Sequence, residues 1–435
     1  MSLLNSVGSD VTVFDVAIVG AGMVGASLAC GLIDAGFRVA LIESGELNPS
    51  QNWPPGQVDA RVSALSLASE NLLQNLGVWP IIENMARLQP YSAMHVWDAC
   101  GTGQLNFTAA EQHLPYLGHI VENCTITSAL HQTLARKQYQ LFERSQIVDM
   151  TAQEDTLENM SPRRLTLAGG EQISASLVVG ADGANSKIRQ LSGLPTREWD
   201  YPHHALVTRV KITKSHQNTA WQRFTEDGIL AFLPLPSPAE EGPDSHYCSI
   251  VWSRPEQQAQ AMQQLPEDEF CSALTRAFEG QLGAVIATDQ RHVIPLRQRH
   301  AKRYVQAGLV LVGDAAHTIH PLAGQGVNLG FLDIAALVET LKQAQQQGAD
   351  IASVKVLEGY QAQRRGDNLR MMALMESFSR LFGNQHPMLS LLRNTGMNWV
   401  QKLSPIKQHL AQQAMGVGVH LPPLSQAPQS VKNTL

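Results

Sequence analysis

Three short, mostly apolar runs along the chain predict buried strands, and a glycine follows each of them. A continuous apolar run indicates a strand covered on both faces, as in a parallel sheet. Parallel strands of an α/β protein present the groups that follow them at one edge of the sheet, where ligands bind. The runs lie at 13–19, 177–179 and 309–312, and the glycines are Gly20, Gly180 and Gly313.

The first run opens a βαβ pattern with glycines at the turn. Gly20, Gly22 and Gly25 stand in G-x-G-x-x-G order, and residues 23–35 predict a helix. In this motif the glycines allow a tight turn and a close approach of a pyrophosphate to the backbone. The pattern therefore predicts a dinucleotide at the start of this helix.

An acidic residue completes the pattern. Residues 38–42 predict the next strand, and Glu43 follows it, where a carboxylate can accept hydrogen bonds from a ribose. An acid at this position favours an adenosine ribose without a 2′-phosphate. The first site is therefore predicted to prefer FAD or NAD over NADP.

The third run ends in Gly-Asp and leads into a second glycine-rich stretch. Asp314 follows the strand, and Gly324, Gly326 and Asn328 open a helix whose exposed amides would face the ligand. A glycine-rich loop alone could be a tight turn. The Gly-Asp strand in front of it favours a nucleotide site.

The second run leads to Asp182 and Gly183, a dipeptide that is also common in hairpin turns. Ser186, Lys187 and Arg189 follow and indicate the start of a helix. This setting favours another loop at the edge where phosphates bind.

Alternating apolar and polar residues predict an antiparallel sheet inserted between the second and third runs. Its strands are expected at 205–212, 221–224, 229–233, 246–252 and 291–296. This sheet is expected to cover the ligand and form a substrate chamber. Arg223 and Phe232 are candidates for the chamber wall.

Composition limits the classes of function. A chain of 435 residues suits two or three packed units, and a net charge of -6 without a basic block argues against nucleic acid as a partner. The five cysteines are scattered and indicate reduced core residues. The chain shows no transmembrane run and no secretory leader, so a cytoplasmic protein is expected.

With these stretches in place, the chain resembles the single-component flavoprotein aromatic hydroxylases. The run 320–333, HPLAGQGVNLGFLD, is similar to the signature of the ubiquinone-biosynthesis branch of that family. Four further stretches resemble the branch member that hydroxylates a 2-polyprenylphenol at ring carbon 5. They are LGHIVEN at 117–123, WDYPHHALV at 199–207, GILAFLPL at 228–235 and CSIVWS at 248–253.

The resemblance implies the aromatic hydroxylase fold, an α/β architecture in which a Rossmann-like FAD-binding domain carries an inserted antiparallel β-sheet substrate domain and a C-terminal helical region. The expected boundaries are 1–195 for the first part of the FAD-binding domain, with a small substrate-side segment near 80–110, then 196–300 for the substrate domain, 301–355 for the second FAD-binding part and 356–435 for the helical region.

The resemblance also implies the reaction. Reduced FAD would form a flavin hydroperoxide with dioxygen and hydroxylate the ring of a polyprenylphenol, with NAD(P)H as a transient electron donor. Other proteins of ubiquinone biosynthesis and a second copy of the chain are expected partners. Open alternatives are a sister hydroxylase acting at another ring carbon, another flavoenzyme on this scaffold such as a reductase or halogenase, and a non-catalytic FAD-bound scaffold of the quinone-synthesis complex.

The expected site combines the residues above with those that the family pattern suggests. Arg61 would meet the pyrophosphate or the flavin ring, although a surface ion pair with Asp59 is the alternative. Tyr201 would relay the phenolic proton, or it would simply pack at a strand entrance. His320 and Pro321 would shape the loop beside the flavin. The cofactor-binding set is Gly20, Gly22, Gly25, Glu43, Arg61, Asp182, Asp314, Gly324, Gly326 and Asn328, the catalytic set is Tyr201, His320 and Pro321, and no metal is expected.

The C-terminal residues 388–415 have a basic amphipathic character. They are a candidate for peripheral contact with the inner membrane, where a polyprenyl substrate is dissolved. Packing on the protein's own core or on a second subunit is the favoured alternative, because most amphipathic helices are buried in that way.

Overall fold

The computed structural model describes residues 13–47, 59–99, 101–152, 162–225, 227–242, 244–318, 326–382, 401, 407 and 421–428. The strands are β1 Val13–Val19, β2 Val39–Ile42, β3 Val62–Ser66, β4 Leu88–Tyr91, β5 Ala93–Asp98, β6 Gln104–Thr108, β7 Gly118–Glu122, β8 Gln140–Phe142, β9 Ile147–Ala152, β10 Arg163–Leu167, β11 Gln172–Gly180, β12 Thr196–Ile212, β13 Thr219–Thr225, β14 Gly228–Leu235, β15 His246–Pro255, β16 Val285–Thr288, β17 His292–Ala301, β18 Val305–Gln306, β19 Leu309–Leu311 and β20 His317–Thr318. The helices are α1 Met23–Asp34, α2 Leu67–Asn75, α3 Trp79–Asn84, α4 Asn123–Leu134, α5 Lys187–Ser192, α6 Glu256–Gln264, α7 Glu267–Ala277, α8 Gly326–Gln346 and α9 Val354–Phe382.

Sheet 1 contains the three apolar runs as neighbouring parallel strands. Its order is β18-β19-β11-β1-β2-β8, and only β18 in this path runs antiparallel to its neighbour. Val19 pairs with Gly180, and Gly180 pairs with Leu311. The loops after β1, β11 and β19 therefore leave the sheet side by side, as the sequence predicted.

Sheet 2 has the order β20-β17-β12-β15-β14-β13-β5-β6, with β16 beside β12. All five predicted strands are present, and β12 begins nine residues earlier than expected, at Thr196. The sheet is antiparallel except where β5, from the first half of the chain, joins β13 in parallel. Strands near 80–110 thus extend this sheet, although the proposed domain boundaries stay predictions.

An irregularity interrupts β12 where it pairs with β17. Asp200 lies opposite Arg297, and His204 lies opposite Pro295, so three residues of β12 face one residue of β17. Tyr201 is one of the three. Such bulges bend a strand and are frequent beside active sites.

Burial on both faces explains why the apolar runs form sheet 1. The main core includes β1, β2, β11 and β19 together with apolar residues of α1, α4 and α8. A second core lies between sheet 2 and the helices α6 and α7, around Phe232, Ile250, Trp252, Phe270 and Leu274. Sheet 3, with the order β3-β7-β4, was not predicted as a sheet.

The end of the described chain returns to the first half of the molecule. Asn71 and Asn75 on α2 donate hydrogen bonds to the backbone carbonyls of Leu424, Ser425 and Gln426. Within the described residues, no helix is both long and apolar enough to cross a bilayer.

Candidate cofactor and substrate site

A cavity of about 820 Å³ lies between the strand ends of sheet 1 and one face of sheet 2. It brings together the three loops that the sequence placed at one edge and the sheet expected to cover them. Its lining residues are Gly22, Met23, Val24, Arg61, Val62, Ser63, Asn123, Ala181, Gly183, Ala184, Asn185, Ala205, Val207, Val251, Ile294, Pro295, Leu296, Arg297, Arg299, Val312, Gly313, Asp314, Thr318, Gly326 and Val327.

The structure gives a different reason for the absence of a side chain at each of the three glycines of the first motif. Gly20 adopts φ +101°, where side chains are strained, and a β-carbon there would lie 2.5 Å from the carbonyl oxygen of Ala181. A β-carbon on Gly25 would lie 1.9 Å from the carbonyl oxygen of Gly20. At Gly22, which lines the cavity, no atom of the described residues beyond its chain neighbours lies within 4 Å of that position. The space beside Gly22 is therefore available to a ligand.

The start of α1 suits an anion. Gly22 is the N-cap, no side chain caps the helix, and its first turn carries no acidic residue. The amides at the beginning of this twelve-residue helix therefore keep hydrogen-bonding capacity and positive potential for a phosphate. The open Gly22 face and these amides fit the pyrophosphate of FAD.

Glu43 holds the first loop in place. Its carboxylate accepts the amides of Ala21 at 2.6 Å and Gly45 at 2.9 Å, and the Ser44 hydroxyl at 3.0 Å. Partial burial raises the pKa of this carboxyl, but the hydrogen bonds outweigh it, so the pKa lies below its ordinary value. Glu43 is ionised at neutral pH, and contact with a ribose stays a prediction.

Asp314 points its carboxylate into the cavity, as the Gly-Asp pattern suggested. The carboxyl is open to the cavity but surrounded by protein, and this desolvation raises its pKa, while His317 nearby acts in the opposite direction. Among described residues, none donates a hydrogen bond to this carboxylate. It is thus free to accept hydroxyl donors of a ligand.

Asp182 caps α5, and it does not line the cavity. Its carboxylate accepts the amides of Lys187 at 2.6 Å and Ile188 at 3.1 Å, as well as the Ser186 hydroxyl. The dipeptide Asp182-Gly183 therefore belongs to a strand-to-helix loop, and the hairpin alternative is wrong. Gly183 lines the cavity, and a direct contact of Asp182 with the cofactor stays a prediction.

Two arginines that the sequence analysis did not place in the site fix this loop. Arg189 and Arg299 both donate to the carbonyl oxygen of Ala184, at 2.7 and 2.6 Å. Arg299 also donates to Asn185 at 2.7 Å, and Arg189 to the carbonyl of Ala315 at 2.8 Å. Arg299, on β17, thereby ties sheet 2 to the loop after β11, and Arg189, on α5, ties that helix to the turn after β19. Arg297 and Arg299 both line the cavity, but the predicted strand ended at residue 296, so its alternation gave no signal for either arginine.

The side chain of Asn328 binds other parts of the protein, and contact of this residue with the cofactor stays a prediction. Its buried amide donates to the carbonyl of Ala64 at 2.8 Å and accepts the Ser66 amide at 3.1 Å and the Ser69 hydroxyl at 2.7 Å. These bonds attach the start of α8 to the end of β3 and the start of α2. The side chain is committed to the protein, while Gly326 in the same motif does line the cavity.

Arg61 lines the cavity with an exposed guanidinium. The Asp59 carboxylate accepts the backbone amide of Arg61 at 2.9 Å, and the two side chains form no ion pair. The surface-pair alternative is therefore wrong, and a contact with the cofactor stays a prediction.

The three residues predicted as catalytic are not tested by the structure. Tyr201 lies in the bulge of β12, opposite a segment of β17 that lines the cavity. His320, Pro321 and also Gly324 lie outside the described residues. His317, whose role the sequence left open, is buried and bonded to Asp333.

An apolar wall faces the nucleotide loops across the cavity. It is formed by Ala205 and Val207 on β12, Val251 on β15, and Ile294 and Leu296 on β17. Val207 and Val251 are paired across neighbouring strands. This surface suits an aromatic ring with a hydrocarbon tail.

Arg223 and Phe232 are not part of this wall, which corrects the sequence-based expectation. Phe232 is fully buried against Phe278, and Arg223 donates to the carbonyl of Ala277 and pairs with Glu279 at 2.6 Å. Both side chains face the α7 side of sheet 2.

Two described positions in the C-terminal region contact the protein itself. Gln401 accepts the amide of Asn106 at 2.9 Å, and the buried Lys407 pairs with Glu111 at 2.7 Å. These contacts support packing on the protein's own surface over membrane contact.

The chain is similar to known proteins over most of its length. Residues 13–373 match the model of a family described as FAD binding domain. The chain is 39% identical over 404 residues to the 3-demethoxyubiquinol 3-hydroxylase of Escherichia coli (strain K12), covering 93% of this chain and 98% of that protein. It is 36% identical over 409 residues to the ubiquinone hydroxylase UbiL of Rhodospirillum rubrum, covering 94% of this chain and 91% of the relative.

The fold has close counterparts among solved structures. The p-nitrophenol 4-monooxygenase PnpA from Pseudomonas putida DLL-E4 superposes with a TM-score of 0.72 at 18% identity, covering 94% of this chain and 99% of the other. At this identity the likeness concerns the fold alone. It confirms the aromatic hydroxylase fold expected from the sequence.

Proposed function

The chain belongs to the FAD-dependent hydroxylases of ubiquinone biosynthesis, and we propose that it inserts one oxygen atom into the aromatic ring of a polyprenylated phenol or quinol. The observation that carries this proposal is the two-sided cavity. The nucleotide loops with Gly22 and Asp314 form one side, and the apolar wall of sheet 2 forms the other. A ring held against that wall lies beside the flavin end of the same cavity.

The residues present fit FAD. Gly22 leaves room for the pyrophosphate, the α1 amides can bind it, and Asp314 offers a carboxylate to hydroxyl groups of the cofactor. When bound, FAD supplies the activation of dioxygen for transfer of one oxygen atom.

The protein contributes binding, orientation and exclusion of water. The wall of Ala205, Val207, Val251, Ile294 and Leu296 binds the ring and the first part of the tail by apolar contact. Arg61 and Arg297 add positive charge to the cavity, which favours the phosphates of the cofactor and a substrate that is becoming a phenolate. Tyr201, in the bulge of β12, is the proposed relay for the phenolic proton.

Two ring positions are candidates. The stretches 199–207 and 228–235 resemble the enzyme that acts at ring carbon 5, and on this ground we propose that position first. The relative from Escherichia coli is named 3-demethoxyubiquinol 3-hydroxylase. This name supports ring carbon 3 as the second candidate position. The electron donor is proposed to be NAD(P)H, bound transiently, and other ubiquinone-biosynthesis proteins are proposed as partners.

Mass spectrometry of quinone intermediates in a cell lacking this protein separates the candidates. Accumulation of a polyprenylphenol without the carbon-5 hydroxyl supports the first, and accumulation of a demethoxy intermediate supports the second. An unchanged quinone profile would contradict both. The purified protein with FAD, a reductant and the accumulated compound should then consume dioxygen and add a single oxygen atom to the product.

A further inference from the structure

A buried carboxylate lies behind the segment that carries Asp314. Asp333, on α8, is fully buried and does not line the cavity. Its Oδ2 accepts the amide of Gly313 at 3.1 Å and Nε2 of His317 at 2.5 Å. These two contacts lie on either side of Asp314 in the chain.

The other oxygen of Asp333 faces α9. Oδ1 accepts Nε of Arg364 at 2.9 Å and Nδ2 of Asn368 at 3.2 Å. A buried carboxylate is costly unless a cation and hydrogen-bond donors compensate it, and here four donors do so, one of which is a guanidinium. These interactions hold the pKa of Asp333 at about 2 against the opposing effect of burial.

The charge state fixes the direction of the His317 bond. An ionised carboxylate is only an acceptor, so Nε2 of His317 carries the hydrogen and donates. Gly313 adopts φ +55°, and Val24 side-chain atoms lie 3.1 Å from the position of an added β-carbon. The turn before Asp314 is thus confined on the outside by Val24 and held from the inside by Asp333.

We propose that Asp333 is a positioning residue for FAD: by binding Gly313 and His317 it holds the turn that directs Asp314 into the cavity. Arg364 and Asn368 extend this support to α9, which contributes no residue to the cavity lining among the described residues. The conformation of α9 then affects the affinity for FAD without touching it. The inference needs FAD as the cofactor, and it is independent of the identity of the substrate.

The test compares Asp333→Asn with Tyr360→Phe. Tyr360 lies on α9, as Arg364 and Asn368 do, and its hydroxyl donates to the carbonyl of Leu311 at 3.1 Å, so the control removes a buried bond between this helix and β19. Both variants should lower the melting temperature. At temperatures well below both melting points, Asp333→Asn should weaken FAD binding on the order of tenfold and change the visible spectrum of bound flavin, since supporting hydrogen bonds carry effects of this size. Tyr360→Phe should change neither.

A double-mutant cycle identifies the route of the effect. If Asp333 acts through Asp314, then Asp333→Asn should cost little further FAD affinity in an Asp314→Ala background. Additive losses in titrations of apoprotein with FAD would overturn the proposal. So would a Tyr360→Phe variant that loses as much FAD affinity as Asp333→Asn at equal stability.

If Asp333→Asn fails to fold, substitutions at His317 test the same proposal. His317→Ala removes one donor and leaves the ion pair with Arg364 intact. It should weaken FAD binding in the same direction, whereas His317→Gln, whose amide can donate to Asp333, should recover most of the affinity. Equal FAD affinity in both His317 variants and the wild type would contradict the proposal.

Discussion

A β-carbon on Gly25 would lie 1.9 Å from the carbonyl oxygen of Gly20, so these two residues are joined by a backbone contact that no side chain permits. At Gly22, between them, a β-carbon would have no described atom within 4 Å apart from its own residue and its neighbours in the chain. The first pair is required by the fold, whereas Gly22 leaves space that a ligand can occupy.

Substitutions at the two kinds of glycine should therefore affect different properties, namely FAD binding at Gly22 and stability at Gly25. Gly22→Val should leave the melting temperature of the apoprotein nearly unchanged and remove most of the FAD, because the side chain occupies ligand space. Gly25→Ala should cost about 3 kcal/mol of stability through overpacking. Gly359→Ala, on an exposed face of α9, is the control: it should leave FAD binding unchanged and slightly raise the melting temperature, because alanine is favoured over glycine inside a helix. Full retention of flavin in purified Gly22→Val would contradict the cofactor site.

Asp314→Asn should stabilise the apoprotein while weakening FAD binding. Burial raises the pKa of the Asp314 carboxyl, so the native state binds its proton more tightly than the unfolded chain does. The charged form therefore destabilises the apoprotein above its native pKa, and this cost disappears as the pH falls below the ordinary value of about 3.9. Urea unfolding at pH 8 and at a pH just below about 3.9 should show a larger gain for the variant at pH 8. A loss of stability at both values would refute this account.

His300 should make the protein less stable in acid. Burial, with the nearby charges of His317, Arg365 and Arg197, lowers its pKa to about 4 from 6.5. The neutral ring contributes its full stability above pH 6.5, and the contribution falls as the pH decreases toward 4, by about 3 kcal/mol at most. His300→Gln should flatten the pH dependence of the unfolding free energy in this range. Parallel curves for the variant and the wild type would contradict the assignment.

A larger side chain on the apolar wall should affect the substrate and spare the cofactor. Val207→Phe fills space opposite Val251, so kcat/KM for a polyprenylated substrate should fall by about tenfold while FAD content is retained. Ile286→Phe adds the same ring to an exposed position of β16, on the same sheet, and should be neutral. Unchanged turnover by Val207→Phe would show that the substrate does not bind at this wall.

Deletion of residues 388–435 should remove FAD and solubility together. The deletion takes away the buried Lys407–Glu111 pair and the carbonyls that Asn71 and Asn75 bind on α2. Ending the chain after residue 428 is the milder control and should retain FAD. If the larger deletion folds, keeps FAD and loses activity only on long-tailed substrates, the region serves substrate delivery, as the membrane hypothesis holds.

The sequence predicted the elements that are determined by residues close together in the chain. The βαβ unit from β1 to β2 and the Gly-Asp edge were located within one or two residues, because apolar runs and glycines identify them directly. The role of Asn328 could not be read locally, since its partners Ser66 and Ser69 lie about 260 residues away. Arg223 and Phe232 were placed on the wrong side of sheet 2. Both faces of that sheet pack against apolar groups, so alternation alone does not say which one borders the cavity.

The strand order of sheet 1 has a consequence for how this protein is made. β1 is synthesised early, whereas its neighbour β11 begins only at residue 172 and the next strand β19 at residue 309. Asp333, which we propose holds the turn before Asp314, is itself bound by Arg364, which is translated later still. The loops that line the cavity therefore meet only after most of the chain has been synthesised, so the cavity is completed late in folding.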